Sequence, residues 1–63
     1  KENLNLSQDE ILKTLALRPM SKEDIESLWN EESINRLEIL HQEKKVSINN
    51  VNGINFFITK GNL

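Results

Sequence analysis

The sequence predicts an α+β domain in which three helices are followed by a two-stranded β-hairpin, and three observations carry that prediction. Apolar residues between Ile11 and Leu40 recur at helical spacing. Two β-branched and aromatic runs, Val46 to Ile48 and Ile54 to Thr59, flank an Asn-Gly pair, the dipeptide that most readily adopts positive φ in a hairpin turn. All ten Asp and Glu residues lie upstream of Val46, so the composition changes where the period changes.

Lys1 to Leu6 is a polar lead-in, and residues 7–63 form one domain. Ser7 is placed to cap the first helix, with Glu10 three residues later in capping-box spacing. Ile11, Leu12 and Leu15 share one face of a helix running from Gln8 to Leu17. Arg18-Pro19 ends it, because proline disfavours helical geometry in the residue before it. Met20-Ser21 makes a short connection able to add an edge strand. Ser21 caps a second, short helix whose first turn, Lys22-Glu23-Asp24, favours negative charge. Ile25, Leu28 and Trp29 form its apolar face, and Asn30 is expected to stop it in a left-handed conformation. Glu31-Glu32 open a third helix, in which Ile34, Leu37 and Leu40 keep helical spacing to about Glu43. Lys44-Lys45 follow where cations suit the helix dipole. In the hairpin, Asn49 to Gly53 reads as the turn. Val46 and Ile48, with Ile54, Phe56 and Ile58, are expected to face the helices, and Phe57 to point away.

At 63 residues the chain is a single small domain, near the size where one core only just outweighs a backbone entropy cost of roughly 1–2 kcal/mol per residue. With 37% apolar and 29% charged residues, two Gly and one Pro, the composition is that of a folded chain rather than a low-complexity one. Absence of Cys excludes a disulfide framework and a thiolate metal site, which fits a reducing cytoplasmic or nuclear setting. No apolar run is long enough for a membrane span or a signal-peptide core. The start at Lys1, without an initiator Met, suggests a fragment of a larger protein.

Helix, short connection, short helix, longer helix and hairpin follow one another in winged-helix order. The segments "LSQDEILKTLALRPMSKEDIESL" and "INRLEILHQEKKV" resemble bacterial winged-helix modules. Among these the chain looks most like the C-terminal winged helix of the DprA/Smf DNA-processing family, from which it departs in having Lys44-Lys45 where a Gly is usual. "SINRLEIL" and "NGINFFIT" are similar to the winged helix of DDRGK-motif proteins, although the acidic turn there is replaced here by Asn50 to Gly53. The first resemblance implies an accessory domain of a larger DNA-processing or DNA-associated protein, giving weak DNA contact through the wing and third helix or a docking surface, and this is the function expected; the second implies the alternative, a protein-interaction or oligomerisation module with no nucleic-acid contact.

The inventory for catalysis is thin. His41 is the only His, no Ser-His-Asp or paired-carboxylate arrangement can be tied to a pocket, and both glycines, Gly53 and Gly61, lie in the wing and tail rather than in a phosphate loop. No enzyme activity, cofactor, metal or small-molecule substrate is expected. His41 next to Leu40 reads as a structural side chain, and an isolated His-Glu spacing to Glu38 is weak for a metal.

Charge is split between body and wing. Residues 1–43 hold five basic and ten acidic side chains, net −5, and residues 44–63 hold three basic and none acidic, net +3. If DNA is bound, weakly and without membrane involvement, Arg36, Lys44, Lys45 and Lys60 are the phosphate contacts and Asn35 the best candidate for a base edge. The row Asn49, Asn50, Asn52 and Asn55 reads either as further contacts or as turn chemistry. Glu31, Glu32, Glu38 and Glu43 in the third helix oppose phosphate binding. They suit instead a protein partner or self-association, for which Glu38, Gln42 and Phe57 are the candidates. Trp29 reads as core.

Overall fold

Two hydroxyl caps and one amide cap set the helix starts. The Ser7 hydroxyl accepts from the Glu10 amide at 3.2 Å, while the Glu10 carboxylate accepts from the Ser7 amide at 2.8 Å, a complete capping box for α1, Gln8–Leu17. Ser21 accepts from the Asp24 amide to start α2, Lys22–Leu28, and Asn30 accepts from the Ser33 amide to start α3, Glu31–Gln42. The strands are β1, Met20–Ser21, β2, Val46–Val51, and β3, Ile54–Thr59. These elements belong to a computed structural model that describes residues 3–59.

The strands form one antiparallel sheet in the order β1-β3-β2, so the short connection does add an edge strand and the sheet has three strands rather than two. Three helices followed by this sheet make an α+β, winged-helix-like layout. The core is Ile11, Leu15, Met20, Ile25, Trp29, Leu37, Leu40 and Val46, with Leu6, Leu12, Ile34 and Phe57 packed against it. All of it lies between the helices and one face of the sheet.

Four expectations are corrected. Asn30 does not stop α2 in a left-handed conformation. Its φ of −81° and ψ of 175° are extended, because its side chain serves the next helix as N-cap. Leu28 is not on the buried face. Trp29 leaves the helix with ψ 151° and turns its ring inward to 2% exposure, and Leu28 remains 45% exposed. The hairpin loop is two residues, Asn52 (φ 54°) and Gly53 (φ 83°), rather than five, so β2 runs on to Val51. That loop pairs Val51 with Ile54 and Ile48 with Phe57, which reverses the expected faces of β3. Phe57 joins Met20, Val46 and Ile48 on the inner face, while Phe56 and Ile58 join Asn49 and Ser47 on the outer one.

The lead-in is tied to the α2–α3 junction from Asn3 onward. The Leu4 amide donates to the Leu28 carbonyl at 2.8 Å and the Asn30 amide to the Leu4 carbonyl at 2.7 Å, a parallel bridge between Leu4 and Trp29. At the end of α3, the Lys44 amide donates to the His41 carbonyl at 3.0 Å and the Lys45 amide to the Leu40 carbonyl at 2.9 Å. This is a Schellman closure with Lys44, at φ 67°, in the left-handed position that glycine usually takes.

Candidate functional site

The winged-helix-like layout leaves the outer side of α3, the corner after it and the β2–β3 hairpin exposed. Glu31, Asn35, Glu38 and Gln42, spaced three or four apart, form one exposed stripe of α3, and Glu32 and Ile39 flank it. Asn35, the candidate base contact, therefore sits between two carboxylates. No basic side chain shares the stripe.

Arg36, the one Lys or Arg in α3, is turned the other way. Its Nη1 donates to Asn5 Oδ1 at 2.7 Å and to the Leu6 carbonyl at 2.9 Å, and Nη2 lies 4.0 Å from Glu32. The guanidinium thus holds the lead-in against α3, a half-buried structural role for a residue expected to meet phosphate. Ser33, fully buried one turn earlier, accepts from the Leu6 amide at 2.6 Å and donates to the Leu4 carbonyl at 3.1 Å.

The corner between α3 and the wing brings Lys44 and Lys45 together as exposed side chains. Lys45 lies 3.5 Å from Glu43, a surface pair of small net worth, and Lys44 belongs to the helix closure. Lys60 lies outside the described residues. At the wing tip Asn50 accepts from the Gly53 amide at 3.2 Å and donates to Asn55 at 2.9 Å, so the Asn50 and Asn55 side chains are engaged by the turn, while Asn52 supplies one of its left-handed backbone positions. Asn49 stays exposed on the outer sheet face.

Of the protein-binding candidates, Glu38 and Gln42 are brought together on the α3 stripe. Phe57 is not with them: it is half-buried on the inner side of the sheet, edge-on to His41 with ring centroids 6.4 Å apart and planes at 84°. Phe57 therefore does not point away from the helices as expected. The outer face carries Val51 and Ile54, 44% and 51% exposed, with half-buried Phe56 and Ile58, and Pro19, Asn49, Val51, Phe56 and Ile58 line a shallow hollow there. The sequence carries half of the signal: Asn52-Gly53 marks the turn, but the loop length that fixes the pairing of every residue behind it is not set by composition, because Asn49 and Asn50 suit a turn as well. A second apolar cluster, Leu4, Leu17 and Leu28 around Arg18, lies where the ends of α1 and α2 meet the lead-in, and Leu17 is 87% exposed.

Among the described residues no three of His, Asp and Glu gather as a metal-ligand group, and no helix is long and apolar enough to cross a membrane. Comparison of the chain with protein-family models, with curated proteins and with solved structures finds no match in any of the three.

Proposed function

We propose that this domain is a protein-docking winged-helix module, an accessory domain that meets partner surfaces with α3 and the outer face of its sheet. The observation that supports this reading is the α3 stripe: Glu31, Asn35, Glu38 and Gln42 are exposed, and the helix's Arg36 is committed to Asn5 and Leu6. In a DNA groove that stripe would bring carboxylates near phosphates, a like-charge approach that opposes binding. Against a basic protein surface the same charges steer and align.

A second reading, weak DNA contact by an accessory domain of a DNA-processing protein, is carried by the corner. Lys44 and Lys45 are exposed there, and no acidic residue occurs from Lys44 to the end of the chain. Titrating the domain with labelled double- and single-stranded DNA at about 50 and 200 mM salt separates the two readings. The docking reading expects no binding at the lower salt. Binding that weakens steeply with salt and is abolished by changing Lys44 and Lys45 together to Glu would replace it. A photo-cross-linking side chain at Gln42 should give protein adducts in native extract that Glu38→Lys removes.

A further inference from the structure

We propose that Asn52 is a self-modification site, at which the chain converts its own asparagine to aspartate and isoaspartate at a rate set by the Asn50 side chain. The site lies at the wing tip and is independent of the docking reading. Asn52 is the one Asn of the sequence that precedes a Gly. Every other Asn is followed by a residue whose side chain crowds its backbone nitrogen. Asn52 and Gly53 are both exposed, and a Cβ built on Gly53 meets nothing within 4 Å, so the space beside the Gly53 nitrogen is open. Other Asn side chains are held in place: Asn5 accepts from Arg36, Asn30 caps α3, and Asn50 donates to Asn55.

The reaction needs only these two residues and water. The Gly53 nitrogen, having lost its proton, attacks Asn52 Cγ. A bond forms between the Gly53 nitrogen and Cγ, the Cγ–Nδ2 bond breaks, and Nδ2 leaves as ammonia with the proton given up by the Gly53 amide. Water then opens the cyclic imide. Its attack at Cγ gives aspartate, and its attack at the Asn52 backbone carbonyl carbon gives isoaspartate, whose main chain runs through Cβ and Cγ.

The turn restrains this reaction. The Gly53 amide donates to Asn50 Oδ1 at 3.2 Å, which holds the nucleophile in its protonated form. Local opening is enough to release it, because Val51 to Asn55 are exposed and such tips open at far less cost than the whole domain. Asn50 is thus a positioning residue that acts on Asn52 through Gly53.

The products change the wing in two ways. Either one places a carboxylate in the segment from Lys44 to Leu63, which has no acidic residue, and lowers its net charge from +3 to +2. Isoaspartate also lengthens the backbone of a two-residue loop whose geometry pairs Val51 with Ile54.

The test is incubation of the folded chain at neutral and at mildly alkaline pH, then tryptic digestion and fragmentation mass spectrometry of the peptide from Val46 to Lys60. The mass change of NH exchanged for O should appear at Asn52 before any other Asn reacts, and faster at the higher pH, because only the deprotonated nitrogen attacks. Gly53→Ala should slow the conversion even though it strains the turn. Asn50→Ala should speed it about two- to tenfold, the factor of one hydrogen bond, and Asn50→Asp, which keeps an acceptor, should not. No conversion in the folded chain, earlier conversion at another Asn, or equal rates in Asn50→Ala and Asn50→Asp overturns the proposal.

Discussion

The buried Ser33 hydroxyl donates to the Leu4 carbonyl at 3.1 Å, across 29 positions of sequence, and accepts from the Leu6 amide at 2.6 Å. One hydroxyl therefore satisfies two backbone groups of the lead-in inside the domain. Ser33→Ala leaves both without that partner and should cost about 1–3 kcal/mol. Urea unfolding should show a lower midpoint at unchanged slope, and amide exchange at Leu4 and Leu6 should accelerate.

Phe57 and Phe56 are neighbours with opposite roles. Phe57 packs against the core and stands edge-on to His41, whereas Phe56 lies on the outer face. Phe57→Ala should destabilise the domain by about 2 kcal/mol or more, and Phe56→Ala by about half as much. Equal losses in thermal unfolding would contradict this assignment of faces.

Lys44 holds a φ of 67° at the end of α3, a conformation that costs a non-glycine residue roughly 1 kcal/mol. Lys44→Gly should recover about that much and raise the melting temperature by several degrees. Lys45→Gly, outside the left-handed position, should not. The pair of variants separates backbone conformation from loss of a charge.

Gly53 has a φ of 83°, and a Cβ built on it meets nothing within 4 Å. Gly53→Ala should therefore cost about 1 kcal/mol from backbone strain alone, with no steric component. Its effect should be confined to the wing, seen as faster amide exchange in Val51 and Ile54 while the α1 amides keep their protection.

Local chemistry made much of this fold legible. Ser7, Glu10 and Ser21 act within three residues of themselves, so the caps and the span Gln8–Leu17 could be read from the chain directly. The Asn52-Gly53 turn was equally visible, but its length was not, since the neighbouring Asn49 and Asn50 have the same turn propensity. Asn50 proved to serve the turn through its side chain while remaining in a strand.

The candidate site depended more on contacts distant in sequence. Nothing near Arg36 in the chain announces that its guanidinium will reach Asn5 and Leu6, about thirty positions away, and turn from the exposed stripe of α3. Periodicity likewise groups Phe56 with Ile58 but not with a side of the sheet.

By itself the sequence determined the α+β class, the order of elements, the Ser7 and Ser21 caps and the separation of an acidic body from a segment without acidic residues, because these follow from propensity, spacing and composition within a few residues. Only the tertiary structure decided which face of β3 is buried, which cation is free and which leucines remain outside. Those outcomes depend on which surfaces meet when Met20 pairs with Phe57 and Leu4 with Trp29.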